Sequence, residues 1–362
     1  MSSRTAPPND PADDARPARV TLKQVAEAAG VSLATASYSL NNGGSVGQET
    51  RDRVIAVAEQ LGYRPNLAAK AMRTGRTGTL GFVLPDLTNP FFPLLAQTVI
   101  HAARGEGYGV FLTDSQGSKE AEAQSIDALV RRGVDGVIWF PIDDLPDRQP
   151  NLNGVPTVVL DRSLGGFDCV LADFAAGGRL AAECLLAAGH RRIGLITGPL
   201  AASSARERAD GARETILARG ELAWEVEAAF SADLESSVVG LLNQRSATAV
   251  IAGADLIAIG VIRALRSAGL RVPQDVSVIG FDNIPWTDLC APPLTTIELP
   301  VPEMGVEAVQ QLLRRLRTPE EPRRRIVFDV GLVERASVAA PSTDADKPPA
   351  KARRRWFRAG QG

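Results

Sequence analysis

The chain is poor in the residues that most catalytic chemistry needs. It has 2 His and 3 Cys in 362 residues. His101 and His190 are too few for most His-based metal sites or nucleophile–base triads. Cys169, Cys184 and Cys290 are scattered without Cys-x-x-Cys spacing, which argues against a zinc site and a disulfide framework. No metal and no cofactor is expected. No apolar run reaches the ~18 residues of a membrane-spanning helix, and the N-terminus lacks the apolar stretch of a signal peptide. A cytoplasmic protein without membrane attachment is therefore expected. Neither sign of charge dominates: 40 Lys and Arg face 42 Asp and Glu, a net charge of −2, so the whole chain is not a basic nucleic-acid binder. Gly105-x-Gly107-x-Gly109 misses the Gly-x-Gly-x-x-Gly spacing, and no Gly-Lys-Ser/Thr loop exists, so nothing supports a nucleotide-dependent enzyme.

What is present is an ordinary globular composition, 44% hydrophobic, in a length that suits two or three domains. Charge is uneven along it. Residues 20–76 hold seven Lys and Arg against four Asp and Glu, a modest field for phosphates.

That basic segment carries the clearest local pattern. Thr21 with Gln24 three residues on forms a capping box. Leu22, Val25, Ala26 and Ala29 follow at helical spacing. A tight Ala29-Gly30-Val31 connection leads to Ser32, an N-cap, and a second helix to Asn41. Ala36 and Leu40 fall on its inner face. Leu33, Ala34, Ser37 and Tyr38 fall on the other, which is small, hydroxylated and uncharged. A solvated face normally carries Glu and Lys, whereas short neutral groups suit the edges of bases. Two such helices make a helix-turn-helix. A third helix spans Gln48 to Gln60, with Val54, Ala58 and Leu61 inward. Asn66 caps a following helix of about seven residues, too short to be stable alone.

VTLKQVAEAAGVSLATASYSLN and TRDRVIAVAEQLGYRPN, followed by NPFF, resemble the LacI/GalR family of bacterial transcription regulators. The resemblance implies a homodimer reading a pseudo-palindromic operator in double-stranded DNA, controlled by a sugar or nucleobase-like effector. It implies DNA contacts from Thr21, Leu33, Ala34, Thr35, Ser37, Tyr38, Asn41 and Arg51 in the headpiece. It also implies contacts from Asn66, Ala69 and Met72 in a hinge helix, with Met72 wedging into the minor groove. Tyr38 stands where family members often carry Arg, which removes a bidentate guanine contact.

From Thr79 onward, continuous apolar runs alternate with helices, the pattern of parallel strands covered on both faces. The alternation restarts near Gly177, giving two similar halves. The expected fold is an all-α helix-turn-helix headpiece plus an α/β core of two doubly wound parallel-sheet subdomains, type I periplasmic-binding-protein-like. The expected boundaries are a disordered arm (1–19), headpiece (20–64), hinge helix and linker (65–76), core (77–338) and disordered basic tail (339–362). Within the core the first subdomain takes about 77–163 and 302–320, the second about 164–301 and 321–338. The resemblance implies that the chain crosses between them three times, near 161–171, 298–302 and 318–325.

Ligands of open α/β sheets sit at the carboxyl ends of strands. Asp114, Asp161, Asp255 and Asp282 end apolar runs there, and carboxylates accept from hydroxyls and ring N–H groups. The resemblance places Arg208, Asp282, Phe91, Phe92 and Phe230 with Asp161 and Asp255 at an effector. Ala252-Gly253-Ala254-Asp255 lacks the Asn of the family's Ala-x-Asn-Asp, which puts common sugar chemistry in question. A sugar-binding protein without a regulatory role is the alternative reading.

Overall fold

The computed structural model describes residues 20–41, 46–64, 71, 75–144 and 151–342. The chain divides into two units, Met1–Thr77 and Gly78–Gly362.

In the first unit, α1 (Leu22–Ala29), α2 (Leu33–Leu40) and α3 (Gln48–Gln60) enclose Val25, Ala26, Ala29, Ala36, Val54 and Ala58. The capping box is complete: Thr21 Oγ1 accepts from Gln24 N–H, and Gln24 Oε1 accepts from Thr21 N–H at 2.8 Å. Ser32 Oγ accepts from Thr35 N–H at 3.1 Å. One inward expectation fails: Leu61 is exposed, because it lies past the last turn of α3. Leu40 is half-buried and packs against this core. Ser39 beside it is buried, its hydroxyl donating to Thr35 O at 2.8 Å.

The second unit has two six-stranded sheets with helices on their faces. The first sheet has the order β11-β5-β4-β3-β1-β2 and is wholly parallel. Its strands are β1 (Thr79–Leu84), β2 (Gly109–Asp114), β3 (Gly136–Trp139), β4 (Thr157–Leu160), β5 (Asp168–Ala172) and β11 (Arg325–Phe328). Helices α4 (Phe91–Gly105), α5 (Lys119–Arg131) and α10 (Val301–Arg317) pack on it. The second sheet runs β12-β10-β9-β8-β6-β7. Its strands are β6 (Arg192–Thr197), β7 (Glu221–Glu227), β8 (Ala249–Ala252), β9 (Ser277–Asp282), β10 (Thr295–Glu298) and β12 (Gly331–Val333). Helices α6 (Phe174–Ala187), α7 (Ser203–Arg219), α8 (Ser236–Asn243) and α9 (Asp255–Ser267) cover it.

Sheet membership corrects two crossings. Asp168–Ala172 pairs with β4 and β11, so the chain leaves the first lobe after Ala172, not within 161–171. The apolar run 326–333 carries two strands rather than one. Arg325–Phe328 pairs in parallel with β5, and Gly331–Val333 pairs antiparallel with β10. The third crossing is thus at Asp329-Val330 rather than 318–325, and the second sheet is not purely parallel. β5 begins with a charge, yet it lies deep because Asp168 is fully buried and accepts from Arg314, Arg315 and Arg324 N–H. β7 was invisible as a strand because Glu221–Glu227 alternates polar and half-buried residues at a sheet edge.

The expected tail boundary also moves. His190 is buried, with Nδ1 2.9 Å from Thr248 Oγ1 and Nε2 2.9 Å from Ala339 O. A carbonyl can only accept, so the neutral ring carries its proton on Nε2 and accepts at Nδ1. This clip holds Ala339 on the second sheet, where Ala339 N–H also donates to Ser277 Oγ at 3.1 Å. The expected arm 1–19, most of the hinge segment and residues 343–362 lie outside the described residues.

Burial holds the His190 pKa below its usual 6.5, against the hydrogen bond to Ala339 O. In the unfolded chain it returns to about 6.5. The unfolded state then binds the extra proton first, so stability from this group is complete above that value and is lost as pH falls toward the folded pKa. The melting temperature is expected to fall between pH 7 and pH 5, with a shallower slope in His190→Gln. Calorimetry checks this, and equal slopes would remove His190 as the cause.

Candidate functional site

The headpiece presents one face of α2 to solvent. Leu33 and Tyr38 are about half exposed, at 54% and 52%, and Ala34 is exposed. Thr35 and Ser37 are half-buried. Thr35 Oγ1 lies 2.8 Å from Ser32 Oγ. Asn41 Nδ2 donates to Ser37 O at 2.7 Å, which caps the helix end. Thr21 Oγ1 is engaged in the capping box. Arg51, in the first turns of α3, is half-buried and its Nε has no partner. The face is therefore apolar and hydroxylated, with Thr35 and Asn41 tied back to the helix ends. Asn66, Ala69 and Met72 lie outside the described residues.

The core holds a narrow cleft of about 40 Å³ between its two sheets. The first lobe contributes Asn89, Phe91, Phe92, Phe140, Asp161 and Arg162; the second contributes Ser204, Arg208, Phe230 and Asp282. Six of the seven residues expected at an effector thus meet here.

Each arrives by its local structure. Asn89 Oδ1 accepts from Phe91 N–H at 3.1 Å and so sets the start of α4. Phe91, Phe92 and Phe140 then form an aromatic wall, with edge-to-face centroid distances of 5.0–6.2 Å. Asp161 follows β4 at φ 67°, and Asp282 ends β9 at φ 112°. L-residues rarely adopt that backbone region, and such strain concentrates at ligand sites. The turn aims each carboxylate off the strand end into the cleft.

Arg208 projects from α7 and is 8% exposed. Its Nη1 donates to Asp282 Oδ1 and to Gly253 O, both at 2.9 Å. The guanidinium lies 4.0 Å from the Phe281 ring centroid and 5.1 Å from that of Phe174, a cation–π sandwich. Burial pushes the Asp282 carboxyl up to about 6, against the opposing pull of Arg208. Arg162 donates to the Asp161 carboxylate and to Ser204 Oγ at 2.6 Å. Burial lowers its pKa to about 10, still charged at neutral pH. Asp161 Oδ1, Arg208 Nε and Thr197 Oγ1 are buried with no hydrogen-bond partner. Such groups cost about 1–3 kcal/mol each unless something bonds to them.

Asp255 does not join them. It is fully buried as the first residue of α9. Its Oδ1 accepts from Thr296 Oγ1 at 2.6 Å and its Oδ2 from Ile284 N–H at 2.9 Å. Both oxygens therefore brace the second lobe rather than face the cleft. Burial, then the Asp282 charge, raises its pKa well above the usual range. Asp114 likewise serves a turn, accepting from Gln116 N–H at 2.9 Å. Sequence reasoning missed Asn89, Phe140, Arg162 and Ser204. Ser204 was findable, being four residues before Arg208 on one helix face. Phe140 was not, because a search of strand ends for polar groups passes over Phe.

Among the described residues no group of three His, Cys, Asp or Glu is placed to hold a metal, and no helix is long and apolar enough to cross a membrane.

Comparison with known proteins bears on both units. Residues 21–66 match the family of bacterial regulatory proteins, lacI family. Residues 182–338 match the periplasmic binding protein-like domain. The ribose operon repressor of Haemophilus influenzae is 34% identical over 330 residues, 88% of this chain and 98% of that protein. The lac repressor dimer bound to operator and the anti-inducer ONPF superposes with a TM-score of 0.79 at 29% identity, covering 89% of this chain and all of that one. A regulator from Enterococcus faecium with bound ribose superposes at 0.64 with 31% identity, covering 72% of this chain and 99% of that one. With its headpiece, its two-lobed core and its near-full-length relatives, the chain belongs to the lacI family of bacterial regulatory proteins.

Proposed function

We propose that this protein is a repressor that binds a pseudo-palindromic operator as a homodimer and answers to a pentose, D-ribose or a close relative. The observation that carries the reading is the cleft itself. Charged and polar atoms without partners line it between aromatic walls, which suits a small ring that is apolar on its faces and hydroxylated at its edge. The hydroxyls would donate to Asp161 and Asp282 and accept from Arg162 and Arg208. Ribose operon repressors among the relatives, and the ribose-bound neighbour, point to the same ligand class. The loss of Asn at Ala254 leaves that hydrogen bonding to the two arginines.

Dimerisation would use the groove of Leu87, Pro93, Leu94, Ile100, Leu112 and Trp286, and Leu289 is also exposed. Large exposed apolar groups of this kind mark association surfaces. Two headpieces would then read half-sites in successive major grooves of nucleoid DNA, with the hinge segment entering the minor groove between them.

The test is a titration of the full-length protein with D-ribose and other pentoses, and with adenine and hypoxanthine, by calorimetry and by operator-binding anisotropy. D-ribose is expected to bind and to shift operator affinity about 5–150-fold, the usual range of such coupling. Uptake of a nucleobase alone would replace the sugar reading, and a monomer at every concentration in sedimentation would remove the dimer.

The two headpiece roles are separable. Tyr38→Ala is expected to change base preference at one position of each half-site. Arg51→Ala is expected to weaken all sequences alike, through a lost phosphate contact. A randomised-operator binding screen distinguishes them, and a uniform loss for Tyr38→Ala would contradict the base-reading role.

A further inference from the structure

Helix α7, which carries Arg208, starts without a cap of its own. Ala202 occupies the N-cap, and no side-chain cap hydrogen bond forms there. The first amides of a helix have no partner inside the helix, so something else must accept from them. Here the acceptor comes from the other lobe. Asp144 lies in the loop after β3, and its carboxylate accepts from Ser203 Oγ at 2.8 Å and sits near the Ser203 backbone N–H. It also pairs with Arg206, one turn into the helix. Arg162 reinforces the contact: it reaches Ser204 Oγ at 2.6 Å, and its Nε lies 3.5 Å from Asp144 Oδ1. The backbone joins in, with Asp144 N–H donating to Ala201 O at 3.4 Å.

The loop that brings Asp144 is anchored to the first lobe. Buried Glu122 accepts from Trp139 Nε1 and from Ile142 N–H, each at 3.0 Å, and Lys119 pairs with Asp143. Asp144 therefore moves with the first sheet and Ser203 with the second. Burial opposes ionisation of Asp144, yet the Ser203 and Arg206 hydrogen bonds and the nearby Arg162 charge hold its carboxyl below the ordinary value, so it is anionic at neutral pH.

We propose that Asp144 is a positioning residue for cleft closure: it caps α7 across the cleft mouth, and does so only while the two lobes are together. Closing the lobes and ordering the turn that leads to Arg208 are then one event. A ligand that draws the lobes together gains the cap, and opening them exposes the Ser203–Arg206 turn. This rests on the reading of the cleft as the effector site, but the cap forms whenever the lobes meet, with or without a ligand, and so is tested without one.

The experiment compares full-length wild type with Asp144→Ala and Asp144→Asn. Hydrogen exchange is followed by mass spectrometry without ligand, and D-ribose affinity by calorimetry. In Asp144→Ala, the amides of Ser203–Arg206 are expected to exchange at least about tenfold faster, and the D-ribose Kd to rise by a similar factor, the fold-change that loss of one cap carries. The rest of α7 keeps its protection. Asp144→Asn keeps an acceptor for Ser203 but loses the charge facing Arg206 and Arg162, so it falls between. The proposal is overturned by unchanged exchange in the first turn of Asp144→Ala, or by a loss of protection spread evenly over the second lobe. If wild type takes up no D-ribose, the ligand assignment fails, and the exchange comparison still decides the cap.

Discussion

Replacing Arg208 with alanine is expected to abolish the D-ribose response while leaving ligand-free operator binding intact. Arg208 carries two of the cleft's hydrogen bonds, to Gly253 O and to Asp282, and the second is also an ion pair. Removing one partner of a buried pair costs about 3–5 kcal/mol, because the other charge is left uncompensated. Here the system has an exit. Arg208 is what restrains the burial-raised pKa of Asp282, so without it the carboxyl holds a proton more readily. A protonated Asp282 loses much of its strength as an acceptor for sugar hydroxyls. Affinity for D-ribose is expected to fall at least about 100-fold, equivalent to roughly 3 kcal/mol. Arg208→Lys is expected to fail as well, since an ammonium cannot lie flat between Phe174 and Phe281 and still reach both Asp282 and Gly253. Calorimetry at pH 7 with operator anisotropy alongside checks both. Wild-type uptake by Arg208→Ala would dismiss this cleft as the effector site.

The second large effect sits behind the site. A methyl group on Gly178 of α6 would lie 2.0 Å from the Arg208 carbonyl oxygen and 2.8 Å from Ala212 N. Gly211 of α7 answers it, with an added Cβ 2.2 Å from Ala175 O. The two helices are in backbone contact, and no rotamer change can relieve a clash between backbones. Overpacking typically costs about 1–3 kcal/mol, and a backbone contact belongs at the top of that range. Gly178→Ala is therefore expected to lower the melting temperature by about 5–10 °C. Because the obstructing carbonyl belongs to Arg208, D-ribose affinity is expected to fall with it. Gly240→Ala is the control: nothing lies within 4 Å of its added Cβ, and alanine favours a helix by about 0.5–1 kcal/mol over glycine. A Gly178→Ala protein as stable as that control would show that α6 and α7 can separate at no cost.

The headpiece was legible because its signals are local. The Thr21–Gln24 box and the Ser32 cap are written within three residues, and the structure forms both. The cleft was legible in part. Asp255 and Asp282 look alike in the chain, each ending an apolar run. Asp282 still belongs to its strand, at φ 112°, and meets Arg208. Asp255 is one step further on, inside a helix, and turns back to Thr296 and Ile284. That difference depends on partners 29 and 41 residues away, which no local pattern encodes. Arg162 was passed over because a charged residue beside Asp161 reads as its surface partner. Only the closed packing of the two lobes buries it to 3% exposure.

By itself the sequence determined the two-part plan, the alternation of strand and helix, the small neutral face of α2 and the groups that can recognise a hydroxylated ligand. These follow from short-range periodicity and from side-chain chemistry, which the chain carries wherever it is placed. Tertiary structure alone decided where the chain changes sheets, splitting one apolar run at Asp329-Val330, and which aspartates face the cleft. It also decided that a helix in one lobe takes its cap from the other. Each depends on pairing or burial between segments far apart in the chain, and only the assembled fold supplies those partners.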